Sequence, residues 1–165
     1  MPFRWRFLTA RLMPNTKPLV AAALVCERVL TESDSVISAI RMVDRYTITE
    51  MQVPSGIVAE GQPMPIIDLT TLVILKSGDL VGPSEASIVL RTPDQKTVVF
   101  PQKWQLDFKG GEAGGSLITR FAMPATAPAG LYWFDVIWEG ETLTSIPLRL
   151  VREPKAQETA PGATN

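Results

Sequence analysis

The sequence of 165 residues contains no histidine and only one cysteine, Cys26. Without histidine, the chain lacks the commonest general base near neutral pH and the commonest nitrogen ligand of metals. A single cysteine cannot form a disulfide within the chain, which fits a reducing compartment, so we expect a cytoplasmic protein. Together these absences argue against an enzyme, and we expect no catalytic residues, no cofactor and no metal.

The sequence also lacks a long apolar run. No segment approaches the roughly 20 apolar residues of a membrane-spanning helix. The apolar run "LVAAALVC" over residues 19–26 is followed at once by Glu27 and Arg28, and we interpret it as a buried strand rather than a signal segment. The formal net charge is -1, and residues 1–17 hold four basic residues and no acid. The remainder is therefore acidic, which argues against nucleic acid as a partner.

The two ends of the chain differ in composition from its middle. Residues 1–17 form a basic extension, for which we expect little order. Two alternatives stay open there: a start of the native protein at Met13, and contact of residues 1–12 with a membrane surface. Residues 152–165 contain two prolines and no apolar period, so they are predicted to be a disordered tail. Residues 18–151 are then a single domain.

The middle of the sequence has the pattern of β-strands nearly throughout. Short β-branched or aromatic runs are bounded by Pro, Gly, Asp or Ser, and they predict about eight strands. The predicted segments are 19–30, 36–48, 66–79, strands on either side of a turn within 85–104, 116–124 and the two arms of a final hairpin. Loops are predicted at 51–65 and 107–115, and turns at 31–35, at "KSGD" (76–79) and at 92–96. The pattern predicts an all-β fold, an antiparallel β-sandwich of immunoglobulin-like or related type.

The last hairpin, "GLYWFDVIWEGETLTSIPLRLV" over residues 130–151, gives the clearest pattern. Tyr132, Phe134 and Trp138 share one face by the period of two residues, and we expect this face to be core. Trp133 lies on the mixed face and is the aromatic residue most expected to be exposed. Pro147 cannot donate a hydrogen bond to a neighbouring strand, so the returning arm is predicted to be an edge strand.

The segments "LVCERVL", "ISAIRMVDRYTI" and "PAGLYWFDVIWEGETLTSIPLRL" resemble a family of uncharacterised bacterial and phage proteins. In that family an apolar strand ends in a cysteine and an acidic residue, and a second strand follows after a short turn. The resemblance covers residues 18–151. It implies a small immunoglobulin-like β-sandwich and no known activity or catalytic residues.

Individual residues give little indication of catalytic chemistry. Cys26 has no histidine to activate it, and we expect a buried structural side chain. The glycine-rich "KGGEAGG" at 109–115 has no lysine directly after its last glycine and does not begin a helix, and a phosphate-binding loop needs both. Several acidic residues are predicted to lie in loops, where they suit either solvent or calcium; they are Asp68, Asp79, Asp94, Asp107, Glu112, Glu139 and Glu141.

Two hypotheses about function follow. The first is a non-enzymatic protein-binding or assembly module, with a protein partner or self-association through the exposed face and tip of the last hairpin. The alternative is a carbohydrate- or calcium-dependent ligand-binding β-sandwich that uses the loop acids and Trp104. The candidate binding residues are Trp104, Trp133, Asp135, Glu139, Glu141 and Arg149.

Overall fold

The computed structural model of the protein describes residues 16–50 and 66–154, and this part of the chain consists of strands and short turns without a helix. The prediction of an all-β protein is therefore confirmed. The predicted loop at 51–65 lies outside the described residues, as do most of the basic extension and residues 155–165. The described strands are β1 Leu19–Thr31, β2 Ile37–Met42, β3 Arg45–Glu50, β4 Ile66–Arg91, β5 Thr97–Pro124, β6 Gly130–Trp138 and β7 Glu141–Pro154.

Hydrogen bonds join these seven strands into one mixed sheet. Its order is β2-β1-β4-β6-β7-β3, and β5 pairs with β4 along the other side of that strand. The first half of β4 pairs with β1 and its last six residues pair with β6. Only the β3–β7 pair is parallel. The long β4–β5 hairpin is therefore the element that connects the two ends of the sheet.

The β4–β5 hairpin corrects the predicted boundaries. Residues 107–115 were predicted to be a loop, and "KSGD" to be a turn, but both segments remain within paired strands. Gly78 and Gly111 lie opposite each other with φ of 56° and 64°, so the ladder is irregular at this point without ending. Four predicted strands thus become two, and the predicted strand at 36–48 becomes two, so the described residues contain seven strands rather than about eight.

The predicted strand at 36–48 is divided at residues 43–44. Its first part, β2, pairs with β1, and its second part, β3, pairs with β7. The backbone N–H of Val43 donates to the Val25 carbonyl at 2.8 Å, and that of Arg149 donates to the Asp44 carbonyl at 2.8 Å. These bonds hold the corner, so the chain changes partners there although its β-type pattern continues.

The predicted turns at 31–35 and 92–96 are confirmed, and both use the same geometry. In each, a residue with positive φ closes the turn: Ser35 with 67° and Gln95 with 63°. The N–H of Ser35 donates to the Glu32 carbonyl at 3.0 Å, and that of Gln95 donates to the Thr92 carbonyl at 2.9 Å. A type I turn followed by one left-handed residue is a common hairpin connection.

The core combines residues from both halves of β4 and β5 with β6 and β7. Tyr132, Phe134 and Val136 are buried as predicted, and Trp138 is half-buried against the same cluster. The rings of Phe121 and Phe134 lie 4.5 Å apart between centroids. Burying each such aromatic side chain contributes roughly 2–3 kcal/mol, so core packing accounts for the aromatic pattern of β6 without a ligand.

The last strand extends further and is more enclosed than predicted. From Arg149 onward β7 pairs with β3, so the prediction of an edge strand holds only for its earlier part, which contains Pro147. β7 continues to Pro154, beyond the predicted start of the tail at residue 152. The Arg152 guanidinium donates to the carbonyls of Ala125 and Ala127 at 2.6 and 2.7 Å, which fixes the end of the strand against the β5–β6 connection.

Candidate functional site

The side of β6 that faces away from the core carries polar and aromatic residues. The register places Arg91 of β4 opposite Trp133, which lies opposite Pro147 of β7. It also places Asp135 opposite Ser145. Because residues opposite each other in antiparallel strands point to the same side of a sheet, these five residues share one surface. We call this surface the outer face.

Asp135 is the electrostatic centre of the outer face. The Arg91 guanidinium binds its carboxylate in a bidentate manner, with Nε–Oδ2 at 2.5 Å and Nη2–Oδ1 at 2.9 Å. The Ser145 hydroxyl donates to Oδ1 at 2.6 Å. The side chain of Asp135 is only 10% exposed, whereas that of Arg91 is 37% exposed. A buried carboxylate with these three donors is satisfied where it stands.

The charges of this pair affect each other's ionisation. The hydrogen bond from Arg91, aided by that from Ser145, lowers the pKa of Asp135 below its usual value, although burial acts in the opposite direction. The same hydrogen bond raises the pKa of Arg91. Both groups are therefore charged throughout the physiological range. The carboxylate acts as an anchor for the arginine and not as a proton donor.

Arg91 in turn contacts Trp133, the partly exposed aromatic residue of the outer face. Its Cζ lies 5.8 Å from the centroid of the Trp133 ring, which is within the range of a cation–π interaction. Trp133 is half-buried, in agreement with the prediction that it would be more exposed than its neighbours Tyr132 and Phe134. The Arg91 guanidinium thus contacts the Asp135 carboxylate and the Trp133 ring, and these two contacts restrict its movement.

The other predicted binding residues are divided among three places. Arg149 is exposed and lies on the outer face, beside Leu131 in the register. Glu139 and Glu141 are at the tip of the β6–β7 hairpin. Trp104 is on the opposite side of the sheet, where it packs against the core cluster. The structure thus brings Trp133, Asp135 and Arg149 together, and it separates Trp104 from them.

Both acidic residues of the hairpin tip have partners. Glu139 has a φ of 47° and its Oε1 accepts the backbone N–H of Glu85 at 2.7 Å, so it connects the tip to β4. Glu141 forms an ion pair with Lys17 at 2.5 Å, and this contact lowers the pKa of Glu141. The tip is therefore joined both to β4 and to the chain that enters β1.

Trp104 and Trp138 lie on either side of Ala86 in neighbouring strands, β5 and β6. Ala86 is 1% exposed, and both indole rings pack against the core cluster. The backbone ladder sets the spacing of the strands, and the small side chain of Ala86 leaves room on this side of the sheet for the two large rings. Trp104 thus packs against the core in this fold, whereas the sequence suggested that it binds a ligand.

The acidic residues considered for calcium do not converge. Asp68 and Arg120 bind each other, and Asp94 binds Lys96 at 2.7 Å, which lowers the Asp94 pKa to about 2. Within residues 16–50 and 66–154, no group of three or more acidic or cysteine side chains has the spacing of a metal site. Four of these acidic residues lie within strands and not in the predicted loops: Asp68 and Asp79 in β4, and Asp107 and Glu112 in β5.

Cys26 is fully buried, as predicted for a structural side chain. Burial raises the pKa of its thiol, which keeps the sulfur protonated. The Sγ atom lies 3.4 Å from the Arg28 carbonyl and 3.6 Å from the Thr70 carbonyl, and it donates weak hydrogen bonds there. A protonated, enclosed thiol is a poor nucleophile.

Sequence reasoning missed the roles of Arg91 and Ser145. Lys96 and Lys103, the next basic residues along the chain after Arg91, bind Asp94 at 2.7 Å and Glu85 at 2.6 Å and take no part in the outer face. Alternation placed Asp135 on the mixed face of its strand, but it gave no position for Arg91. Their contact depends on the register between β4 and β6, strands that are separated in sequence by all of β5, and no local signal specifies it.

Comparison with models of known protein families gave no match, and neither did comparison with curated protein sequences. The described part of the chain contains no helix with the length and apolar character needed to cross a membrane. The indications of function therefore come from the residues of the structure themselves.

Proposed function

We propose that the protein is a non-enzymatic protein-binding or assembly module, and that the outer face of its last hairpin is the binding surface. The observation that carries this proposal is the arrangement of Arg91, Trp133 and Asp135. The carboxylate fixes the guanidinium, and the guanidinium supports the ring of Trp133. Tryptophan and arginine are the residues that most often dominate the energy of protein interfaces.

Preorganisation is what makes this arrangement useful for binding. A flexible arginine loses rotamer freedom when a partner immobilises it, whereas Arg91 is already held before contact. Its side chain is still 37% exposed, so part of the guanidinium remains available. Trp133 offers a large contact area beside it, and the exposed Pro147 adds an apolar neighbour. The surface therefore combines an aromatic centre with a charged rim.

We also propose the immunoglobulin-like sandwich predicted from the sequence as the arrangement of the strands. Two observations support it. The residues of β4 that join the core are odd-numbered in its first half and even-numbered in its second half; they are Ile67, Leu69, Val73 and Leu75, then Ala86, Ile88 and Leu90. The side of β4 that faces the core thus changes, and the ladder with β5 is irregular between these two halves, from Lys76 to Val81. Such a change is typical of a strand that passes from one packed sheet to the other. Phe121 and Phe134 meet across strands that are not paired.

The test is a comparison of proteins recovered with tagged full-length chains from the native host. The variants are Trp133→Ala, which removes the proposed centre, and Val81→Ala, which shortens a side chain that is 80% exposed away from the outer face. We expect a partner that is recovered with wild type and with Val81→Ala and is lost with Trp133→Ala. That partner should also bind the purified wild-type chain.

Thermal unfolding of each variant provides the control for folding. Because Trp133 is only half-buried, Trp133→Ala should remain folded at the temperature of the experiment. If a folded Trp133→Ala chain retained every association of wild type, the outer face would not be the binding surface. If the wild-type chain recovered no stoichiometric partner, the proposal of a protein-binding module would fail.

A further inference from the structure

The end of β1 and the whole of β2 form a two-stranded arm at one edge of the sheet. The last pair between β1 and β4 is Cys26 with Thr70, and beyond it β1 pairs only with β2 among the described strands. The Val43-to-Val25 backbone hydrogen bond closes the base of this arm. We call residues 27–42 the arm. Its open side is the outer edge of β2, to which no strand within the described ranges is bonded.

The arm exposes more apolar surface than a solvated hairpin needs. Leu30 is 39% exposed, Val36 55%, Ile40 40% and Met42 73%. Two-stranded hairpins are only marginally stable in water unless a third strand or another surface covers them. An open edge with exposed apolar residues is also a template for pairing with another strand. These features indicate that the arm has a partner strand in the functional state.

The charges of the arm are divided between its two ends. The tip carries Glu32 and Asp34 and no basic residue. The root of the arm is the corner where it joins the sheet. There Arg41 and Glu27 form an ion pair at 3.0 Å, and Arg28 and Arg45 stand against the single carboxylate of Asp44. The tip is thus acidic and the root basic. Such a distribution is complementary to itself when two arms lie side by side in opposite directions.

We infer that the arm pairs with the arm of a second copy of this chain, β2 against β2 in an antiparallel manner. The twofold axis places a residue opposite its own counterpart, because opposite residues share one side of the sheet. If Ile40 lies opposite Ile40 of the second copy, the acidic tip of each arm extends toward the basic root of its partner, which brings Asp34 toward Arg45 of the second copy. The contact is then made twice around a twofold axis, as in most protein dimers. The resulting four strands cover each other's open edge and bring the exposed apolar residues together.

This inference concerns a different surface from the proposed function and does not depend on it. The outer face is built from β4, β6 and β7, whereas the arm is built from β1 and β2. Loss of a partner in the Trp133→Ala chain therefore tests the outer face, and loss of the dimer in an arm variant tests the arm. Either result leaves the other conclusion unaffected.

Sedimentation velocity of the full-length chain over a wide range of concentration tests the inference. We expect wild type to form a dimer that weakens as salt is added, because part of its attraction is ionic. Ile40→Lys places a charge on each of two facing edges and should weaken dimerisation by about tenfold or more. Val81→Lys makes the same chemical change at a residue that is exposed elsewhere, and it should leave the dimer unchanged.

A charge exchange between the two ends of the arm provides the sharper test. Asp34→Lys and Arg45→Asp should each be monomeric alone, because like charges then meet at both contacts. Mixed together, they should form a heterodimer, since each altered end then meets its opposite. A turn that is merely damaged by the loss of the Asp34 hydrogen bond to the Val36 N–H would not be rescued in this way. Any one of three results would overturn the inference. The wild-type chain could stay monomeric at every concentration, the dimer could persist in Ile40→Lys, or the mixture of the two charge variants could form no heterodimer.

Discussion

Replacing Asp135 by asparagine should destabilise the fold far more than the same change at Asp68. Both carboxylates bind an arginine on a neighbouring part of the sheet in a bidentate manner. They differ in exposure: the side chain of Asp135 is 10% exposed, and that of Asp68 is 41% exposed and its partner Arg120 77%. The comparison therefore varies burial while the chemistry of the pair stays nearly constant.

The magnitude follows from the contacts that the substitution weakens. Asp135 accepts two hydrogen bonds from Arg91 and one from Ser145, and asparagine removes the charge from all three. Hydrogen bonds to charged groups contribute about 1.5–3 kcal/mol. Because Arg91 can still be solvated in the variant, we expect a loss near the lower end, about 2 kcal/mol. The change at the exposed Asp68 should be close to the error of the measurement.

Urea unfolding of wild type and the two variants at neutral and acidic pH measures these losses. The pKa of Asp135 is lowered in the folded state, so its contribution is full above the usual value of about 3.9 and is lost as the pH falls through the lower folded value. The difference between wild type and Asp135→Asn should therefore shrink in acid. Equal losses at Asp135 and Asp68, or a difference that does not change with pH, would refute the reasoning.

Three further predictions concern other parts of the fold. Gly114→Ala would drive its Cβ into the Leu75 carbonyl oxygen, so the ladder must shift and the loss of stability should be about 3 kcal/mol or more. Gly115→Ala, which meets only the end of a leucine side chain, should cost clearly less in the same thermal unfolding assay. Phe134→Ala should lower the unfolding free energy by about 3–5 kcal/mol, because the ring is fully buried; a loss below that of Gly115→Ala would contradict its place in the core. The Cys26 thiol should react with a disulfide reagent only in denaturant, since burial raises its pKa and excludes the reagent; rapid reaction of the folded chain would contradict this.

The strand character of this protein could be predicted from its sequence because the period of two residues is a local property. The alternation in β6 indicated correctly that Tyr132 and Phe134 are buried and that Trp133 is the more exposed. The turns at 31–35 and 92–96 were equally clear, since short polar residues there favour a left-handed closing residue. In these segments the local preference and the fold agree.

The extent of β4 and β5 could not be predicted in the same way. Glycine is a typical signal for a turn, but Gly78 and Gly111 lie opposite each other within a continuous ladder. A glycine that bends a strand has the same local sequence as one that ends it, and only pairing with the opposite strand distinguishes the two. The division of residues 36–48 at Val43 has a similar cause, because β2 and β3 pair with strands that are distant in sequence.

The candidate site was predicted only in part for the same physical reason. Alternation placed Trp133, Asp135 and Arg149 on one face, and the structure agrees. It gave no information on Arg91, whose contact with Asp135 depends on the register of β4 against β6. Asp135 was expected to be an exposed contact residue, but the arginine and Ser145 enclose it, and its role in the proposed surface is to hold Arg91 in position.

The most direct test of the central claim is photo-crosslinking in the native host from Pro147, which is exposed beside Trp133 on the outer face. A photoreactive amino acid at this position should form a covalent adduct with one partner protein. The adduct should disappear when Trp133→Ala is added, and the same photoreactive residue at Val81 should not form it. An adduct from Val81 with the same partner, or no adduct from Pro147, would contradict the account of the outer face as a protein-binding surface.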